Sequence, residues 1–284
     1  MSSQELFSIE QVDSFQRDGY LIIPDFYDLT DEIIPIQRDI YEIIGLVADK
    51  YGIKISRNDF STDTFDEGYL DIIAANRACG GEIYDAVKQI PAFIRLVASK
   101  KNEMIFKSLR PKSLPGIAAA GYGVRINNPF EDKYRANWHQ EYPSQLRSLD
   151  GLVFWSPLVK VTQEIGPVVI CPGSQVEGAV PVYTHDPRNI EKKGAYSLVL
   201  KNEEDLINKY RQIAPLSKPT DLVVMDFLLL HASGHNVGKR ALWSMQIRYF
   251  NFLEATGRRH GWKGGFASGV DFKTIHPELC VDLQ

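Results

Sequence analysis

Thiol chemistry is nearly absent from this chain. Its 284 residues include three cysteines, Cys79, Cys171 and Cys280, odd in number, far apart and without C-x-x-C spacing. That pattern excludes a disulfide framework and a thiolate zinc site and predicts a reducing compartment. No run approaches the roughly 18 apolar residues of a membrane span. The opening MSSQELFSIEQ lacks the apolar core of a secretory signal. The expected location is therefore cytoplasmic, with no membrane partner. A formal net charge of −4 is too small to point to a polyanion, so no nucleic-acid partner is expected. The basic cluster Lys107, Arg110 and Lys112 reads as a solvated surface. Hydrophobic residues at 44% and charged residues at 24% are ordinary for a globular protein with an adequate core.

What is present changes character along the chain. Ser8 followed by Gln11 fits a capping box ahead of a short helix ending near Gly19. YLIIPDF (20–26) reads as a strand stopped by Pro24. Thr30 or Asp31 can cap a longer helix through Tyr51, with Pro35 tolerated in its first turn. Apolar spacing over 91–109 predicts another helix. After about Pro115, short β-rich runs alternate with turns: GYGVRIN (121–127), GLVFWSPLV (151–159), GPVVICPG (166–173), DLVVMDFLLLH (221–231) and ALWSMQIRYFNF (241–252). That is the signature of a β-barrel or sandwich, with a helical interruption near 203–212. The reading is one domain over 1–284: a mostly helical buttress at 1–114, a barrel at 115–255 and a glycine-rich loop region at 256–284.

RANWHQEYPSQ (135–145) carries His139 and Glu141. On extended backbone, residues i and i+2 point the same way, so an imidazole nitrogen and a carboxylate oxygen can reach one metal ion; a helix would splay them apart. His231, closing a long apolar strand, supplies a third ligand from a neighbouring strand. Two histidines and a carboxylate on one face form the facial triad of non-haem Fe(II) oxygenases, which leaves positions open for oxygen and a co-substrate. Around one ion the three ligand atoms should lie about 3–4 Å apart. His235, in the turn after the strand, is the rival to His231. His185, His260 and His276 have no partner pattern and read as surface or loop residues.

Four segments together resemble the phytanoyl-CoA dioxygenase family of Fe(II)/2-oxoglutarate oxygenases. SFQRDGYLIIPDF (14–26) is similar to the family's first helix and strand, and WHQEYP (138–143) to its W-H-x-D metal motif. LVFWSPLVKVTQEIGPVVICPGSQ (152–175) is similar to its strand, acidic turn and Pro-Gly-Ser-His stretch. TDLVVMDFLLLHASGHN (220–236) is similar to its Gly-Asp strand and distal histidine. The resemblance implies a double-stranded β-helix, a jelly-roll, cupin-like barrel that is mainly β with flanking helices. It implies Fe(II) on His139, Glu141 and His231, 2-oxoglutarate and O2 as co-substrates, and hydroxylation of a C–H bond in a small molecule. A cupin-like isomerase or an inactive binding barrel are the alternatives.

Three departures qualify the resemblance. Glu141 stands where the family has aspartate, and Gln175 where it has histidine. A carboxylate at 141 still argues against a halogenase, which needs that position vacant. The family's arginine for the far carboxylate of 2-oxoglutarate usually lies eleven residues after the distal histidine, where this chain has Leu242. Arg240, two residues earlier and on the same face of a regular strand, is the first candidate in its place; Arg248 and Arg125 follow. Trp138, Tyr142 and Trp155 are candidate walls of a substrate pocket. Asn236 reads as a residue that turns the chain or bonds the backbone near the metal, Asp221 and Asp226 as turn and surface groups, and Gly166 and Gly173 as turn glycines.

Overall fold

Ser8 and Gln11 form the reciprocal cap that the sequence predicts, each side chain bonding the other's backbone N–H ahead of helix α1 (Ile9–Asp18). The structure, a computed structural model, describes residues 6–188 and 197–281; the first five residues of the polar start and the last three of the tail lie outside it. Gly19 ends α1 at φ 75°, a left-handed conformation that costs glycine no Cβ clash. Strand β1 (Tyr20–Ile23) follows. Asp28, rather than Thr30 or Asp31, caps the next element, a π turn over Leu29–Ile33 that leads into α2 (Ile34–Tyr51). Helices α3 (Tyr69–Ala75) and α4 (Ala78–Val87) were not legible in the sequence pattern. The stretch over 91–109 is two helices, α5 (Pro91–Val97) and α6 (Lys100–Leu109), because Ser99 adopts extended backbone and caps a new start.

The remaining elements are mostly strands: β2 (Pro115–Ile117), β3 (Gly123–Asn127), a short helix α7 (Glu141–Gln145), β4 (Gly151–Pro157), β5 (Val168–Ile170), β6 (Val182–Tyr183), β7 (Val199–Leu200), α8 (Glu203–Ile207), β8 (Leu222–Asp226), β9 (His231–Ser233) and β10 (Leu242–Asn251). After them come α9 (Ala255–His260), α10 (Phe272–Ile275) and β11 (Cys280–Val281). The glycine-rich tail therefore holds two helical turns and a strand rather than loop alone. Helical residues outnumber extended ones, which corrects the expectation of a mainly β chain: this is sheet with a thick helical flank.

The six-stranded sheet runs β1-β8-β4-β10, with β2 and β3 sharing the far edge of β10. Every pairing in it is antiparallel. A second sheet, β5-β9, stands opposite, and β11-β6-β7 forms a third. Among the described residues these sheets do not close into one continuous hydrogen-bonded barrel.

Strand β10 sets the two faces through the period of two. Trp243, Met245, Ile247 and Tyr249 point to the helical layer. Trp243 meets Tyr69 edge-on at 4.9 Å, and Tyr249 packs on Phe106 and donates its hydroxyl to the Val97 carbonyl at 2.8 Å. Leu242, Ser244, Gln246 and Arg248 take the other face, toward β5 and β9, and line the space between the sheets. Both faces of β4 are buried, so its sequence is a continuous apolar run rather than an alternating one.

Several charged groups read from sequence as surface are structural. Arg110 bridges Asp150 and Asp226, tying the end of α6 to β4 and β8. Asp221 is buried and accepts the backbone N–H groups of Asp25 and Lys218. Asn236, an uncharged turn residue, bonds backbone: it donates to the carbonyls of Asn127 and Arg240, and its oxygen accepts from Gly238 N–H. Gly166 and Gly173 sit at φ 75° and 84°, as turn glycines do.

Arg240 lies in the turn before β10, where strand parity does not apply. Its guanidinium forks onto the buried Asp66 carboxylate, at 2.7 and 3.0 Å to Oδ1, and the Trp243 indole N–H donates to Asp66 Oδ2 at 3.0 Å. Asp66 therefore joins the helical layer to the sheet. Asp66→Ala would strand a guanidinium and a buried indole N–H. The loss should be about 2–3 kcal/mol, below the value for a fully buried pair because Arg240 is partly solvated. Urea unfolding of the purified variant measures it; a change under about 0.5 kcal/mol would show that the pair carries no such load.

Candidate metal centre

His139 and His231 face each other as a closed antiparallel pair. His139 N–H donates to His231 O at 3.0 Å, and His231 N–H to His139 O at 3.1 Å. The pair extends the β5-β9 sheet by one position and sets the two rings side by side, centroids 4.2 Å apart. Each ring is oriented by the carbonyl two residues back: His139 Nδ1 lies 2.7 Å from Asn137 O, and His231 Nδ1 2.9 Å from Leu229 O. A carbonyl only accepts, so each Nδ1 carries the proton and each Nε2 presents a lone pair.

Glu141 comes to the same place by a different backbone from the one expected. His139 and Gln140 are extended, with Gln140 at φ −99°, ψ 148°, but Glu141 is the first residue of α7. The helical bend begins at the carboxylate's own residue, too late to splay it from His139. The N–H groups of Glu141 and Tyr142 both donate to Phe227 O, at 2.8 and 3.2 Å, anchoring the turn to the segment between β8 and β9. Gln140 locks the far side, donating to the carbonyls of Gly178 and Leu228 and accepting from Val180 N–H.

The result is a cluster of His139, Glu141 and His231 whose ligand atoms all lie within 4.8 Å of one another. That is somewhat more open than the spacing expected around one ion. Glu141 Oε2 already stands 3.6 Å from His231 Nε2. Two imidazole nitrogens and a carboxylate oxygen, converging without thiolates, suit a first-row divalent ion. His235 points elsewhere, toward Asp132 on the surface at 2.9 Å.

Electrostatics keeps His139 and Glu141 in ligand form. Burial, with neighbouring His231 adding to it, pushes the His139 imidazole down to about 3, so it is neutral at physiological pH. Burial alone would raise the Glu141 carboxyl, but the Arg248 charge and the contact with His231 outweigh it and hold the group well below the usual carboxylate range.

The cluster lies between two connected spaces. The inner one, about 60 Å³, is lined by Asn127, Trp155, Met225, Leu242 and Ser244. The outer one, about 250 Å³, is walled by Tyr84, Tyr122, Trp138, Val182, Leu198 and Leu200. Arg125, Gln246 and Arg248 border both, as do His139 and Glu141. Trp138 lines the outer space and Trp155 lines the inner one, so both border the cavity.

Tyr142 does not. It is fully buried behind α7, its hydroxyl 2.6 Å from His276 Nε2 and its ring edge-on to Phe272. The following helical residue turns away from the face that Glu141 presents. His276, read from sequence as a surface or loop residue, is correspondingly buried. Leu242 occupies the cavity position reached by counting from His231. Arg240 is outside it with Asp66, whereas Arg125 borders it from β3, opposite Ser244. Gln246, Ser244 and Asn127 were missed in the sequence, although the alternation in LWSMQIRYFN carried the signal for the first two. Gln175 sits under α1, donating to the carbonyls of Gln16 and Arg17.

A family model described as phytanoyl-CoA dioxygenase matches residues 15–241. The chain belongs to this family. The resemblance carried by the four sequence segments is thereby borne out. No curated protein sequence matches the chain. Among solved structures, the carbocyclase SnoK from nogalamycin biosynthesis is 15% identical over 87% of this chain and 85% of that one, with a TM-score of 0.56. EctD from S. alaskensis, with 2-oxoglutarate and 5-hydroxyectoine, is 20% identical over 88% of this chain and 78% of that one, TM-score 0.55. The epimerase SnoN, with Fe3+, alpha ketoglutarate and nogalamycin RO, is 14% identical over 85% and 82%, TM-score 0.53. At these identities the likeness is one of fold. No helix among the described residues is long and apolar enough to cross a membrane.

The lowered pKa of His139 has a definite sign. In metal-free protein the unfolded imidazole takes up a proton near pH 6.5 and the folded one only near pH 3. The unfolded state therefore binds more protons between these values, and stability falls as pH drops through that window. Glu141, whose folded pKa is depressed, adds a loss of the same sign below its ordinary range. Urea unfolding in chelator from pH 7.5 to 5 should show this decline, and His139→Gln should flatten it. An unchanged slope in the variant would contradict the assignment.

Proposed function

We propose that the protein is a non-haem Fe(II)/2-oxoglutarate-dependent dioxygenase that hydroxylates an unactivated C–H bond of a small molecule. The observation that carries this reading is the cluster itself: two Nε2 lone pairs and one carboxylate oxygen converge at a cavity in a chain of the phytanoyl-CoA dioxygenase family. The opposed sheets are read as an open form of the jelly-roll barrel, and the whole chain as one oxygenase domain. Iron held by His139, Glu141 and His231 would, with 2-oxoglutarate and O2, supply oxidative decarboxylation to succinate and carbon dioxide, coupled to insertion of one oxygen atom into the C–H bond.

The chain's own residues supply geometry. His139 and His231 donate through Nε2 because the Asn137 and Leu229 carbonyls fix their tautomers. Arg125 is the proposed anchor for the co-substrate carboxylate. It borders both spaces and shares the inward face with Ser244 and Gln246, and its guanidinium can hold a carboxylate with two charge-assisted hydrogen bonds. Arg240 lies outside the cavity on Asp66, Arg248 faces Glu141, and Arg125 itself donates an Nη2 N–H to the Tyr134 carbonyl at 2.7 Å. The outer space is the proposed substrate pocket; its size and its mixed aromatic, aliphatic and polar lining suit a small molecule rather than a macromolecule.

SnoN is named an epimerase and SnoK a carbocyclase. Hydroxylation is the outcome that needs no further group to redirect the substrate. An isomerase or an inactive binding barrel is disfavoured by three converging donors beside cavity arginines.

Anaerobic addition of Fe(II) and then 2-oxoglutarate should give the weak visible band of this chelate, and turnover with substrate should yield succinate. Arg125→Leu should weaken 2-oxoglutarate binding roughly 30-fold to several thousand-fold, from about 2–5 kcal/mol for a lost charged pair, with metal binding unchanged. Arg240→Leu should leave co-substrate affinity alone. Normal 2-oxoglutarate affinity in Arg125→Leu would remove Arg125 from the role, and absence of the band in wild-type protein would remove the oxygenase reading.

A further inference from the structure

We infer that Arg248 is a positioning residue for Glu141, holding the carboxylate so that Oε2 faces the His231 imidazole while Oε1 takes the Arg248 Nε and Ser144 donors. The inference rests on the reading that His139, Glu141 and His231 hold a metal ion, and it removes Arg248 from the set of co-substrate anchors.

The two oxygens of Glu141 have different surroundings. Oε2 is 3.6 Å from His231 Nε2. Oε1 receives Arg248 Nε at 3.1 Å and the Ser144 hydroxyl at 3.3 Å, while Arg248 Nη2 reaches Oε2 at 3.4 Å. The guanidinium is itself fixed: Nη2 donates to Gln246 Oε1 at 2.7 Å and Nη1 to Gly121 O at 3.3 Å, and the side chain is 14% exposed. Arg248 projects from β10 in the six-stranded sheet, whereas Glu141 hangs from the turn anchored between β8 and β9. The fork therefore spans the cavity and ties the ligand to the opposite wall.

Glutamate needs this more than the aspartate usual in the family would. Its extra methylene adds a rotatable bond, so the carboxylate can swing or turn its second oxygen toward the ion unless something outside fixes it. A planar guanidinium with several donors in fixed geometry does so, and a single ammonium does so only in part. The competing role, capture of a co-substrate carboxylate, would require Arg248 to release Glu141 and leave a buried carboxylate without its charge partner.

The test uses full-length metal-free protein and Co(II) alone as the probe of the site. Arg248→Gln should weaken Co(II) binding about 10- to 100-fold, the usual effect of losing a group that orients a ligand. It should also alter the visible Co(II) spectrum, and Arg248→Lys should recover part of both. At saturating metal, 2-oxoglutarate affinity should stay within about threefold of wild type. In a Glu141→Asp background the shortened arm falls short of the fork, so adding Arg248→Gln should cost little more. Wild-type Co(II) affinity and spectrum in Arg248→Gln overturn the inference, and loss of 2-oxoglutarate binding in the same variant makes Arg248 the anchor instead. If Arg248→Gln unfolds, Arg248→Lys and the Glu141→Asp pair decide by the same criteria. If wild-type protein binds no 2-oxoglutarate, the oxygenase reading fails while the Co(II) comparison still decides the role of Arg248.

Discussion

The two backbone hydrogen bonds exchanged by His139 and His231 are the constraint on which the site depends. They join segments 92 positions apart in the chain and make both imidazoles neighbours on one face. Local carbonyls then fix each ring, and the turn that starts at Glu141 brings in the carboxylate. A bridge of this kind is weak on its own; a hydrogen bond contributes about 1 kcal/mol net. It holds because the flanking strands are buried. His231 opens β9 on β5, and the turn before it is tied to Glu141 through Phe227.

The wider fold serves that geometry by making the six-stranded sheet a rigid wall. Its outer face carries aromatic rings packed on the helices, which fixes the register of β10 against β4 over seven residue pairs. Its inner face is then free to carry polar side chains across from the ligands. Arginine is used three ways here. Arg240 fastens the helical layer through Asp66, Arg110 fastens α6 through Asp150 and Asp226, and Arg125 and Arg248 enter the cavity. A divalent cation, Glu141 and two guanidinium groups would leave the cavity strongly positive, which favours a dianionic co-substrate.

Much of this was legible in the sequence. The Ser8–Gln11 cap, the strand after Gly19 and the β-rich run beyond 115 follow from local chemistry and periodicity, and the H-x-E pair with a histidine closing an apolar run singles out the three residues of the cluster, although that histidine opens a separate short strand. What was not legible depends on tertiary partners. Tyr142 and His276 looked like a pocket aromatic and a surface or loop histidine until their mutual contact appeared. Asp226 looked like a surface acid until Arg110 covered it. Arg240 lies outside the cavity because the strand begins two residues later than its parity assumed, and α3 and α4 were lost because their short apolar patterns offer no clear cap.

The central claim is that His139, Glu141 and His231 form one metal centre. Anomalous diffraction at the iron edge, from crystals loaded anaerobically with Fe(II), tests it directly. The account predicts a single strong peak about 2.0–2.2 Å from Nε2 of His139, Nε2 of His231 and Oε2 of Glu141. A peak ligated by His235, or none among these three side chains, would contradict it.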